Sequence, residues 1–171
     1  MHKRIKEFPV TGGSSAVARS YFDDKLMDKG KLLLDNLEWN GPAMVEFKFD
    51  LKTNEYKLIE INPKLWGSLD LTISSGVDMP LILVNQCLDL EIIKKKPYKD
   101  LTYRWFFPDE ALEWLASGFK SKNFKQSTVV NNIDKTDLSP TIFQIGLFFT
   151  KFLFLLIQSK FKSPSGLPRV G

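Results

Sequence analysis

Cysteine and histidine occur once each in the 171 residues. A single Cys87 excludes an intramolecular disulfide, and with His2 as the one imidazole there is little basis for a Cys/His zinc site or a Ser-His-Asp triad. No histidine lies near Cys87 in sequence, and its surroundings are apolar and helical in pattern. It reads as a small buried hydrophobe rather than a nucleophile. The opening MHKRIKEFPV has no apolar core of the kind a secretory signal requires, which points to the cytosol. Internal repeats are lacking. So are a basic stripe and an aromatic RNA-binding motif, and nucleic acid is not expected as a partner. The formal charge of +4 is mild and spread along the chain, which suits a phosphate-rich small ligand or an anionic membrane surface.

What is present is ordinary for a globular chain: 43% apolar and 26% charged residues, and length enough for one domain with a real core. Residues 2–8 have strand character, and PVTGGSS (9–15) is a loop. Leu26, Leu33, Leu34 and Leu37 recur at helical spacing in 23–38, with Asp23 and Asp24 near the start. WNGP (39–42) ends that helix. Further on, 79–90 form a mostly apolar helix, 101–107 a strand, and a helix starts at Asp109. Residues 120–139 are polar and irregular in pattern.

The strongest signal is a hairpin. Val45, Phe47 and Phe49 alternate with Met44, Glu46, Lys48 and Asp50; LKTNE (51–55) supplies a turn; the return strand alternates Lys57, Ile59 and Ile61 with Leu58, Glu60 and Asn62. A turn centred near Thr53 sets Glu46 opposite Glu60, Val45 opposite Ile61 and Phe47 opposite Ile59. Two carboxylates directly opposed across antiparallel strands have Cβ atoms roughly 5 Å apart, which is destabilising unless a cation or proton intervenes. Mg²⁺ takes one or two carboxylates together with phosphate oxygens. Asn62 adds a neutral oxygen on the same face, and Lys64, one step further, is placed to meet an anionic substrate. The other reading is a solvated, charged sheet face with no ligand.

GPAMVEFKFD, a short turn and KLIEINPKLWGS together resemble the metal-binding hairpin of the ATP-grasp superfamily, which includes biotin carboxylase, carbamoyl phosphate synthetase and carboxylate–amine ligases. That pattern is a Glu within an apolar strand, then Glu-x-Asn-x-Arg on the next. Glu46, Glu60 and Asn62 match it, with Lys64 in place of the Arg. HKRIKEFPVTGGSS is similar to the strand and loop that precede this hairpin in one group of these proteins, and WGSLDLTISSGVDMP to the segment that follows it. The resemblance implies that Glu46, Glu60 and Asn62 hold Mg²⁺ (or Mn²⁺) against the phosphates of ATP, and that a small-molecule carboxylate is phosphorylated for attack by an amine or similar nucleophile. Lys64 and Arg4 would stabilise the acyl phosphate or bind substrate. Gly12, Gly13 and Ser14 would offer backbone amides and a hydroxyl to an anion, unless that loop is a plain turn. Lys64 keeps the charge of Arg but lacks its planar fork. The adenine-gripping part of such a site precedes the matching segment, so the chain is expected to be a C-terminal portion: a truncated gene, one piece of a split enzyme with an N-terminal half on another chain, or a remnant.

From Ile142 to Ile157 only Gln144, Gly146, Thr150 and Lys151 interrupt large apolar residues, and Lys160 and Lys162 follow. This run is shorter than a membrane span and apolar on nearly every helical face. It is a buried helix or a membrane-surface helix, in which case the cytoplasmic protein is membrane-associated. The expected fold class is α+β, an antiparallel sheet with packed helices, in three parts: 1–92 with the hairpin, 93–139 a strand–helix extension and polar linker, and 140–171 an apolar helix and basic tail. Two functions follow: a portion of an ATP-grasp ligase, incomplete alone, or a non-catalytic remnant that docks on a partner or membrane.

Overall fold

The alternation of Ser14–Ser20 breaks at Ala16-Val17-Ala18, three successive small or apolar residues, as expected of a strand covered on both faces. In a computed structural model, which describes residues 1–8, 13–91, 98–116 and 128–157, these residues form the inner strand of a four-stranded sheet. The strands are β1 (His2–Phe8), β2 (Ser14–Ser20), β5 (Leu101–Arg104) and β6 (Thr128–Asn131), in the order β1-β2-β5-β6. The first three are antiparallel, and β6 runs parallel to β5. The sheet is therefore mixed, where a purely antiparallel one was expected. β6 falls inside 120–139, where polar neighbours hide a strand of four residues, Thr-Val-Val-Asn.

This sheet belongs to one of two compact units, formed by residues 2–20 and 100–171. Its core holds Ala16, Val17, Leu101, Tyr103 and Leu112. β5 stops at Arg104, short of the expected 107, because the chain enters the turn Phe106–Glu110, which is kinked where Phe107 is extended. Asn132 secures that kink: its Oδ1 accepts from the Phe106 N–H at 2.9 Å and its Nδ2 donates to the Phe107 carbonyl at 3.0 Å. α4 (Ala111–Ala116) follows the kink, two residues later than expected, and α5 spans Ser139–Ile157.

The other unit holds Met1 and residues 21–99. α1 (Asp24–Asn36) is capped by Asp23, whose Oδ1 accepts from the Leu26 N–H at 3.0 Å. Its inner stripe is Leu26, Gly30, Leu33 and Leu34, all half-buried, whereas Leu37 is exposed. β3 (Met44–Asp50) and β4 (Glu55–Asn62) form a separate two-stranded sheet. α2 (Leu69–Ser74) buries Leu71 and Thr72, and Gly76 ends it at φ 101°, a conformation open to glycine. Asp78 caps α3 (Met79–Cys87) through the Leu81 N–H. Cys87 corrects its expectation. α3 turns Asn85 inward and leaves Cys87 exposed at its last position.

Candidate functional site

β3 and β4 pair with Glu46 opposite Glu60, Val45 opposite Ile61 and Met44 opposite Asn62, as the spacing predicts. Towards the turn the register slips by one, and Phe47 meets Leu58 rather than Ile59. The cause is a β-bulge that leaves Ile59 as an extra residue on β4. The loop is four residues, Leu51–Asn54, with Asn54 at φ 60°, a conformation Asn tolerates. The bulge sorts the side chains. One face carries Phe47, Leu58, Phe49 and Tyr56, with the last two rings edge to face at 5.1 Å. The other carries Glu46–Glu60, Lys48–Lys57 and Asp50–Glu55, a ladder of like-charged pairs whose sign alternates.

Asp50 and Glu55, at the turn end, are held below the usual carboxylate range, the first chiefly by the Lys52 N–H and the second by the Lys57 ammonium. Glu60 is exposed, Glu46 and Asn62 are half-buried, and Asn62 Nδ2 donates to Glu60 Oε1 at 2.5 Å. The structure thus brings Glu46, Glu60 and Asn62 together at the end of the hairpin away from its turn. Two carboxylates and a carboxamide form an all-oxygen donor set once the amide presents Oδ1, and this suits Mg²⁺. Among the described residues no cluster of three or more His, Cys, Asp or Glu is arranged to hold a metal.

Lys64 stands differently from expectation. β4 ends at Asn62, and the Lys64 N–H donates back to the Asn62 carbonyl at 2.9 Å across Pro63. The chain is already turning there, so strand alternation does not set the direction of Lys64, which is exposed. In the same unit, Tyr56 Oη donates to Asp23 Oδ2 at 2.6 Å. That bond pushes the Tyr56 phenol well above its usual range and holds the Asp23 carboxyl below its own.

The remaining candidates lie in the four-stranded unit. Arg4 Nη1 pairs with Glu7 Oε2 at 3.0 Å. Ser14 Oγ donates to Asp109 Oδ2 at 3.0 Å, and Lys151 reaches the other oxygen of that carboxylate at 3.2 Å. An anion at Ser14 would have to displace a carboxylate that already uses its hydroxyl. Gly13 is described but Gly12 lies outside the described residues. Sequence reasoning missed Asp109 and Asn132, because partners 95 and 26 residues apart leave no periodic trace.

A family model described as "ATP-grasp in the biosynthetic pathway with Ter operon" matches residues 3–106, more than half of the chain. A D-aspartate ligase from Enterococcus faecium (strain Aus0004) is 25% identical over 107 residues, which is 63% of this chain and 24% of the ligase. The chain therefore spans about a quarter of that relative's length. No solved structure matches it. With the Glu46–Glu60 hairpin inside the matched span, the chain belongs to the ATP-grasp family.

Proposed function

We propose that this chain supplies the metal-binding hairpin of an ATP-dependent ligase, one that activates a small-molecule carboxylate as an acyl phosphate for attack by an amine or similar nucleophile. The observation that carries the reading is the direct opposition of Glu46 and Glu60, next to Asn62, in a chain of ATP-grasp membership. Likeness to a D-aspartate ligase supports the ligase class. In this reading the chain works with further polypeptide, such as an N-terminal half.

Glu46 and Glu60 would hold Mg²⁺ (or Mn²⁺) through their carboxylates, and Asn62 through Oδ1 after rotation of its amide. When bound, the cation neutralises phosphate oxygens and aligns them for transfer. Lys64, exposed and two residues beyond the strand, brings a positive charge to an anionic substrate. Arg4 would leave Glu7, and Ser14 would leave Asp109, for each to bind an anion, and Gly13 would offer its backbone N–H next to Ser14. The protein's part is positioning and charge compensation, with little covalent work.

A Mn²⁺ titration followed by electron paramagnetic resonance, with and without ATP, tests this. The chain is compared with the Glu46→Gln, Glu60→Gln double variant. Mn²⁺ binding that ATP strengthens, and that the variant loses, is the expected result. Equal weak binding by both proteins would overturn the reading.

A further inference from the structure

α5 is turned the opposite way from a helix that ends in water. Successive helical residues lie about 100° apart, and on that projection Thr141, Gln144, Phe148 and Phe152 share one side. This is the side covered by protein. Thr141 is buried, Gln144 Oε1 accepts from Asn132 Nδ2 at 2.8 Å, and the Phe148 ring meets Phe107 edge to face at 5.8 Å. At the margin, Lys151 reaches Asp109. The helix therefore directs Thr141 and Gln144 inward.

The opposite arc, roughly 140° wide, carries large apolar side chains. Phe149, Ile142, Leu153, Ile157, Phe143 and Phe154 follow one another across it, each between 58% and 75% exposed. Gly146 and Thr150 are the small residues among them, and the arc holds no charge. It runs for roughly 22 Å along the axis. Contiguous exposed apolar surface of this kind marks an interaction site.

The width and the charge pattern select the occupant. A two-helix seam uses about two positions in seven, flanked by charges that set register. This arc is wider and has no such flanks, so a second α5 would leave its edges wet. A lipid surface covers the whole arc at once. Segment 158–171 follows directly and carries Lys160, Lys162 and Arg169 with no Asp or Glu, the charge that anionic headgroups attract. Among the described residues no helix is long and apolar enough to cross a membrane, which leaves a helix lying along the surface. We propose that α5 docks this protein on an anionic lipid surface, with the Phe143, Phe149 and Phe154 arc entering the acyl boundary. The proposal is independent of the ATP-grasp reading.

The test is flotation of the full chain with vesicles of phosphatidylcholine alone and with vesicles that also contain phosphatidylserine. The chain is expected to float with the anionic vesicles. Phe143→Glu with Phe149→Glu, both on the exposed arc, should abolish flotation while far-UV circular dichroism is unchanged. Lys160→Gln with Lys162→Gln should weaken binding roughly thirty-fold. Phe154→Trp gives a second reading that needs no loss of binding: measured as the difference from the parent, whose four tryptophans are the reference, the added emission should shift to the blue and be quenched by brominated lipid. Failure to float, flotation indifferent to the paired Glu substitutions, or emission from the Phe154→Trp variant untouched by brominated lipid would each overturn the proposal. So would sedimentation showing a lipid-free dimer that the Glu substitutions dissociate and that ignores vesicles, since the arc would then join two copies.

Discussion

Glu46 on β3 stands directly opposite Glu60 on β4, and the next cross-strand pair on that face is Lys48 with Lys57. Lysines two residues along offset part of the carboxylate repulsion, but each like-charged pair still opposes the other strand. Glu60→Gln removes the repulsion and one anionic metal ligand together, leaving only a neutral amide oxygen in its place. Without metal the variant is expected to be more stable than the parent by about 0.5 kcal/mol. With Mn²⁺ the parent gains stability by mass action and the variant does not. Thermal unfolding with and without Mn²⁺ reads both effects. A variant that melts lower without metal would show that Glu60 serves the hairpin's own structure.

The hairpin is legible in the sequence because one face is apolar along β3, where Val45, Phe47 and Phe49 leave no other phase. On β4 the phase is ambiguous. Lys57 shares a register with Ile59 and Ile61, and Leu58 with Glu60, a mixture that no regular strand sorts into two faces. The bulge at Ile59 resolves it, returning Leu58 to the apolar side and Lys57 to the charged one. A phase conflict inside a short strand is thus the trace of the bulge. β6 and the kink at Phe107 leave less. β6 rests on its pairing with β5 and the kink on Asn132; in both cases the partners are distant in sequence, and local periodicity has no access to such pairs. Lys64 departs from expectation for a local reason: β4 ends at Asn62, and Pro63 has no N–H with which to continue the ladder.

Gly30 lies on the inner stripe of α1, where an added Cβ would meet Phe47 Cε2 at 3.9 Å, an ordinary contact. Its backbone is helical, so nothing at this position calls for glycine. Gly30→Ala is expected to stabilise the protein by about 0.5–1 kcal/mol by lowering the entropy of the unfolded chain. Urea denaturation, with the slope unchanged and the midpoint raised, is the check.

Arg104 and Glu110 form a two-pronged ion pair, with Nε on Oε2 at 2.7 Å and Nη2 on Oε1 at 2.9 Å. The Glu110 side chain is 5% exposed and that of Arg104 34%. Removing the arginine therefore strands a carboxylate that water barely reaches. Arg104→Met is expected to cost about 3 kcal/mol, and Arg104→Met with Glu110→Met to recover most of it, because the cost is the unpaired charge rather than the lost bond. A double-mutant cycle in urea measures this. Additive losses would mean that the pair is weakly coupled.

His2 is half-buried, and burial, with a smaller effect of the adjacent N-terminal ammonium, lowers its pKa from 6.5 to about 4. Between those values the unfolded chain takes up a proton that the folded chain refuses. The stabilisation is therefore whole above about pH 6.5 and is lost as the pH falls towards about 4. The full difference amounts to about 3 kcal/mol, of which about 2 kcal/mol is gone by about pH 5. Asp23 and Asp100 are held low by Tyr56 and Arg19 respectively, so their contributions fade at and below the usual carboxylate range. The upper part of the acid limb thus belongs to the histidine together with the N-terminal amine, whose pKa burial also lowers from 8.0. His2→Leu should make the profile shallower between about pH 6.5 and 5 and leave the steeper fall below it. Unfolding free energies of parent and variant across that interval decide the matter, and a parent profile already flat there would remove the imidazole from the account.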